Sequence, residues 1–381
     1  MESSRRQFIV TCGSAGLLGT LAAKSGASVF TGTVSAPAMT LPALPSSIDI
    51  QPIITAALAT LQAAKLAPGR FTRWLGDERT KRPGGAEANT YGCVAAANIL
   101  YATGCFPRSA DERTAFVQTI QSNQSAETGL FSDTTHNTFH ATANCTAALD
   151  LFDARPLHPL RGLAYLLEPN GIETLLDGLD WLKKPWPEAH RGAGSFAALF
   201  NAGEAPPEWQ DRYFAWLWEQ QDPTTGLWRK GCQPHDGVAG SAPFFHHLAS
   251  SFHYVFNHVA AHRPLRFPAA MIDSALRVRR EKLQELGTGP GFSEIDWAYC
   301  LTRPLRQCGH RFDEVRAELQ DFAADYSRAL LARVAKEAVP FPDLHTLNGT
   351  IAAFAELQQF LPGMLRTERP LRLILDRRPF I

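Results

Sequence analysis

The feature that most limits what this chain can fold into is a set of six helical segments rich in small residues, starting at residues 91, 136, 190, 246, 296 and 345, 45 to 56 residues apart. Tyr91-Gly-Cys-Val-Ala-Ala-Ala-Asn-Ile-Leu100 and His190-Arg-Gly-Ala-Gly-Ser-Phe-Ala-Ala-Leu-Phe200 are two of them; the others cover His136–Phe152, His246–His258, Asp296–Gln307 and His345–Phe360. Side chains this small let a helix be covered closely on every side, so these segments read as inner helices. Between them run longer amphipathic segments with charged faces, Ala110–Gln121, Gly162–Lys183, Pro207–Gln221, Pro268–Gln284 and Arg311–Ala335, and residues 50–65 supply one more. Strand signals are almost absent. The expected fold is all-α, an (α/α)6 toroid of six helical hairpins in inner and outer rings. An open solenoid of stacked pairs fits the same period. The count of six, and the polar residues gathered at one end of every inner segment, favour closure.

Shorter repeats run through the same frame. Thr128-Gly-Leu-Phe131 recurs as Thr225-Gly-Leu-Trp228, Gly291-Phe-Ser-Glu294 repeats the Phe-Ser-acid opening of Phe131-Ser-Asp133, and Asp153-Ala-Arg-Pro-Leu157 parallels Ala261-His-Arg-Pro-Leu265.

The amino-terminal stretch Ser4-Arg5-Arg6-Gln7-Phe8-Ile9, a mildly apolar Gly/Ala/Leu run and Ala36-Pro37-Ala38 resemble a twin-arginine export signal with its cleavage site. That divides the chain into a leader, 1–38, and a single domain, 39–381, destined for the periplasm or the cell exterior. No other apolar run reaches the roughly 20 residues of a membrane span. With 37 basic and 37 acidic residues the formal net charge is zero, which argues against nucleic acid or an anionic membrane as the main partner. Of seven cysteines, Cys12 lies in the leader. Cys93, Cys145 and Cys300 sit among small and apolar residues and read as buried thiols. Cys300 with Cys308, or Cys93 with Cys105, are conceivable disulfides.

The inner-helix starts carry the candidate chemistry: Asn89 and Tyr91; Asp133, His136 and His140; Glu188 and His190; His246 and His247; Glu294, Asp296 and Trp297; Asp343 and His345. Acids there cap free helix N–H groups and suit the positive end of the helix dipole. The same position suits a catalytic carboxylate, because a buried acid beside another has its pKa raised. Half of the 12 histidines gather at these starts, a pattern that fits proton transfer, anion binding or a metal. His136 and His140 have i, i+4 spacing, which is metal-ligand geometry that His190, His246 or His345 could complete around a divalent ion, while the expected reaction itself calls for no cofactor. The sequence implies no other cofactor. Between Trp228 and His246 the connecting loop is about nine residues longer than its counterpart after Phe131. Its Arg229, Lys230 and His235 bring positive charge to an acid-lined mouth, and Trp228 and Trp297 offer faces for sugar rings.

Gln221-Asp-Pro-Thr-Thr-Gly-Leu-Trp228, opening toward a histidine-rich helix start, resembles the turn of unsaturated glucuronyl and rhamnogalacturonyl hydrolases, which are six-hairpin (α/α)6 enzymes. The resemblance implies an inner-ring aspartate as general acid/base and a pocket of basic and aromatic groups for an unsaturated uronic sugar. A weaker resemblance is to terpenoid cyclases and protein prenyltransferases, whose toroids carry Gln…Gly-Phe/Trp turns before inner helices; no Asp-x-Asp-Asp is present here.

The expected function is an exported enzyme acting on small-molecule or oligosaccharide substrates of the acidic, uronate-containing class, by hydrolysis or elimination. Asp133, Glu294 or Asp296 is the expected acid/base, with His136, His140, Glu188, His190 and His345 in support. For elimination, Tyr91 with His136 or His190 takes the proton, and Asn89, Asn137 or Arg303 neutralises the carboxylate. The alternatives are a metal-dependent or cyclase-like enzyme and a non-catalytic sugar-binding or scaffold protein. Two acids facing each other across the mouth favour a glycosidase, three converging histidine nitrogens a metal enzyme, and a dry aromatic cavity a terpenoid enzyme.

Overall fold

The small-residue segments become helices that pack on one another in sequence order and back to the first. A computed structural model describes residues 47–231 and 240–381. The leader and its cleavage site, and His235 and Cys232 of the long loop, lie outside the described residues. The chain divides into two units, 1–43 and 44–381, and all described residues belong to the second.

The small-residue helices are α3 (Thr90–Ala102), α5 (Thr138–Leu151), α7 (Pro185–Ala202), α9 (Phe244–Ala260), α11 (Ser293–Cys308) and α13 (Leu344–Phe360). α3 packs on α5, α5 on α7, α7 on α9, α9 on α11, α11 on α13, and α13 on α3. Their burial is nearly continuous, from Thr90 to Ile99 in α3 and from His140 to Leu149 in α5. Ala, Gly, Cys and Thr fill most of these positions, beside Tyr91, Val94 and Ile99 in α3 and His140 and Leu149 in α5.

The other helices are α1 (Gln51–Ala64), α2 (Gly76–Lys81), α4 (Ala110–Gln121), α6 (Gly171–Asp177), α8 (Pro207–Gln220), α10 (Pro268–Arg280), α12 (Phe312–Lys336) and α14 (Ile374–Arg377), with a 3₁₀ turn over Arg161–Leu166. Apart from α2, which buries no residue, they bury one stripe each: in α4 only Phe116 and Ile120 are fully covered. α4 lies against α3 and α5, α10 against α9 and α11, and α12 against α11 and α13, while α1 touches α12, α13 and α3. Tyr213 of α8 packs on Phe196 of α7, with ring centres 4.4 Å apart, and accepts a hydrogen bond from Asn257 of α9. Strands are confined to a two-residue parallel pair, β1 (Ile48–Asp49) with β4 (Leu365–Arg366), and a short antiparallel pair, β2 (Lys65–Ala67) with β3 (Arg70–Phe71). No helix among the described residues is long and apolar enough to cross a membrane.

Three expectations are corrected. Gly162–Lys183 is not one helix: Pro169 lacks an N–H and Asn170 is left-handed (φ 61°), so the chain breaks between the 3₁₀ turn and α6. α7 begins five residues before His190, because Pro185 occupies its first turn, where a missing N–H costs nothing. Cys93, Cys105, Cys145, Cys300 and Cys308 are all free thiols, the first, third and fourth of them buried. Residues 378–381 turn inward. Arg378, Phe380 and Ile381 are buried, Asn201 of α7 donates to the Pro379 carbonyl, and Arg378 donates to Asn98 of α3.

The repeated turns are structural clamps with matching atoms. In the first, Gln124 Nε2 donates to the Gly129 carbonyl at 2.7 Å and its Oε1 accepts from the backbone of Leu157 and His158. In the second, Gln221 does the same with Gly226 at 2.7 Å and with Arg266 and Phe267. Gly129 and Gly226 have φ of 72° and 69°, and a Cβ on either would collide with the Pro159 carbonyl or the Met271 backbone. Phe131 N then donates to Thr142 of α5, and Trp228 N to Ser251 of α9.

Candidate active site

Helix starts are fixed first by their caps. Asn89 Oδ1 accepts from the N–H groups of Tyr91 and Gly92, Asn137 Oδ1 from that of His140, and Asp343 Oδ1 from that of His345. These caps are tied together at the rim. Asn89 Nδ2 donates to Asp133 Oδ2 at 3.1 Å, Thr135 N donates to Asp133 Oδ1 at 2.7 Å, and Arg73 bridges Thr135 and Asp343. The Arg73–Asp343 contact is bidentate, with both N–O distances 2.8 Å. Asp133 and Asp343 therefore spend their oxygens on holding α3, α5 and α13 in register.

Inside this rim lies a cavity of about 120 Å³. His136 and His140, Trp186 and His190, His253 with Phe252 and Phe256, Phe292 and Asp296, His345, and Ile381 line it, so α5, α7, α9, α11 and α13 all contribute at or next to the helix. Tyr91 of α3 stands directly behind: its ring is 4.2 Å from that of His136, and its hydroxyl is hydrogen-bonded to His140 Nδ1. The Phe380 ring packs edge-on against His140 at 4.8 Å.

The imidazoles are neutral at neutral pH. Burial pushes His140 and His190 well below the usual histidine range, reinforced by the neighbouring histidines, and His345 is lowered by burial and then by Arg73. His136 and His253 are pushed down to about 4, burial leading in both. Tyr91 is held well above its ordinary value by burial and then by Asp133. Asp296 moves the other way for an acid. Burial, followed by the charge of Glu294, raises it well above the carboxylate range, and neither of its oxygens has a hydrogen-bond partner among the described residues. It is thus a buried carboxylic acid on the cavity wall.

Compared with family models, with curated proteins and with solved structures, the chain matches none of them. The site must be read from its own geometry.

That geometry brings together His136, His140, His190, His345, Asp296 and Tyr91 of the residues singled out in the sequence. It separates the rest. Glu294 Oε1 accepts from Gly287 N at 3.0 Å, and Glu188 pairs with Arg191 at 3.0 Å. His246 is outside the cavity lining, against Trp186, and His247 is buried within the packing of α9. Trp228 and Trp297 are core residues whose indole N–H groups donate to the carbonyls of Leu217 and Ala275, so neither presents a face to a sugar. Arg229 is buried over Phe244 beside Asp222, and Lys230 pairs with Asp177. Arg303, expected near a substrate carboxylate, is buried against Glu356 and Asp376 and lies outside the lining.

His253 was not visible as a site residue, because it sits midway along α9 rather than at its start. Its signal was the polar character of an otherwise apolar run, Ser251-Phe-His-Tyr-Val-Phe256. A larger groove of about 570 Å³ runs beside β1 and β4, but its charged residues Asp49, Arg366 and Glu368 are exposed and it contains no histidine.

Proposed function

We propose that the six inner helices form the inner ring of an (α/α)6 toroid and that the protein is an enzyme acting on uronate-containing carbohydrate in the cavity at their starts. The cyclic packing of α3 through α13, with α4, α10 and α12 each against two neighbouring helices of the cycle, supports the ring. The observation that carries the enzymatic reading is Asp296, a buried and unpaired carboxylic acid on the wall of a histidine-lined cavity.

Of the two reactions, elimination is favoured. Asp296 is the only acid in the described lining, whereas hydrolysis through two facing carboxylates requires a second. In the proposed reaction His136, neutral and backed by Tyr91, takes the proton beside the uronate carboxylate. The electrons of that C–H bond form a carbon–carbon double bond, the bond from the neighbouring carbon to the glycosidic oxygen breaks, and Asp296 gives the departing oxygen its proton. The twin-arginine-like start supports export, which places the enzyme where such polymers are met.

Release of unsaturated product from uronate oligosaccharides, followed by ultraviolet absorbance, tests this reading. A folded Asp296→Asn variant is expected to lose about 10²–10⁴-fold in rate. Equal turnover by that variant sinks the assignment.

A further inference from the structure

We propose that His140, His190 and His253 hold a divalent transition-metal ion of the zinc type, with a further coordination position open to the cavity. Each offers one ring nitrogen, and the three nitrogens lie within 4.8 Å of one another. They arrive from three consecutive inner helices, α5, α7 and α9, which pack in that order, so the cluster is positioned by the scaffold and not by a loop. Ring centres are 4.3 Å apart for His140 and His190 and 5.2 Å for His190 and His253. Zinc–nitrogen bonds of about 2.0–2.1 Å set tetrahedral nitrogens roughly 3.4 Å apart.

The orientation of two rings is the second observation. His253 Nδ1 is 2.8 Å from the Ala249 carbonyl, which can only accept, so the proton is on Nδ1 and Nε2 keeps its lone pair. His140 is anchored through Nδ1 on the Tyr91 hydroxyl, which leaves Nε2 for the cluster. Metal-binding histidines are oriented in this way, with the outer nitrogen tied to a carbonyl or hydroxyl. A set of neutral imidazoles selects zinc, iron(II), cobalt or copper over calcium and magnesium, which require oxygen. Three protein ligands facing a cavity describe a catalytic site rather than a closed structural one.

The ligand set differs from the His136/His140 pair that the sequence spacing offered. His136 stacks on Tyr91 and contacts Thr135, and is not part of the converging group. The assignment also answers a need of the elimination reading, on which this one step rests. A uronate carboxylate requires a positive partner, and the described lining contains no arginine or lysine. A cation on the three histidines supplies that charge.

The test is binding of the metal alone, without substrate, so its outcome is independent of whether a uronate is turned over. Chain stripped with a chelator is titrated with zinc chloride and, separately, cobalt(II) chloride, with elemental analysis for stoichiometry. One ion per chain, the intense visible bands of tetrahedral cobalt, and at least about 100-fold weaker binding in His190→Ala and His253→Ala are expected. An exposed-site variant, His262→Ala, binds as the unaltered chain does. No binding by the unaltered chain, or undiminished binding by both folded variants, overturns the proposal. Where an alanine variant does not fold by circular dichroism, the cobalt spectrum of the unaltered chain decides: the weak bands of an octahedral oxygen-ligated ion overturn it.

Discussion

His253 Nδ1 donates to the Ala249 carbonyl, four residues back on the same helix, at 2.8 Å. This bond decides which nitrogen of a cavity-lining imidazole is basic, and it does so from within one helix. Nitrogen-15 NMR of the metal-stripped protein at neutral pH is expected to show His253 as the neutral Nδ1–H tautomer. Protonation at Nε2 instead would contradict the geometry.

Acid should destabilise the protein well before its carboxylates titrate. His136, His253 and His258 are lowered to about 4 by burial, against about 6.5 in an unfolded chain. A depressed folded pKa gives stability that is present above pH 6.5 and lost as pH falls through 4, on the order of 2–3 kcal/mol for each well-buried ring. Denaturant midpoints measured from pH 7 to pH 4 should fall steeply, and a flat profile would count against neutral buried rings.

Asp296 has the opposite sign. Its folded pKa is raised, so the stability it carries is complete below the unfolded value near 3.9 and is lost as pH rises toward the folded one. Asp296→Asn, compared with the unaltered chain after metal removal, should therefore be the more stable protein at pH 8, with the difference vanishing near pH 4, even though it is the less active one. A variant that is less stable at pH 8 contradicts the burial of an unpaired acid.

Much of the fold was legible because packing forces composition. The Ala and Gly of Tyr91–Leu100 and the charged stripe of Ala110–Gln121 marked a buried helix and a half-exposed one, and the structure places α4 over the same residues. The site was legible only where chemistry coincided with a helix start. His136, His140, His190, His345 and Asp296 met that condition, while His253 needed the turn count along α9 and the inward path of Phe380 needed tertiary structure. Trp228 misled because Gln221–Trp228 is a clamp repeated at Gln124–Phe131, whose aromatic residue fills the core.

Arg303 is expected to act on stability rather than on catalysis. Its guanidinium and Glu356 are both buried and bonded to each other, and Asp376 takes a second nitrogen. Arg303→Ala leaves Glu356 buried without its charged partner, with only the Thr302 hydroxyl donating to it, and should cost about 3–5 kcal/mol in denaturant unfolding. The fraction that remains folded should keep its kcat/KM; a selective rise in KM would return Arg303 to the substrate.

Phe380 holds the cavity from behind. Its ring meets His140, His253 and Phe256 at 4.8, 6.1 and 5.6 Å. Phe380→Ala should cost about 3–5 kcal/mol and weaken cobalt binding along with it. Unchanged stability would show that the segment does not pack where the contacts put it.

The most direct test of the central claim is the rate at which the purified protein forms unsaturated product from uronate oligosaccharides, alone and as Asp296→Asn. Measurable turnover that falls about 10²–10⁴-fold in the folded variant is expected; no turnover of any uronate substrate, or an unchanged rate in the variant, would contradict the role of Asp296.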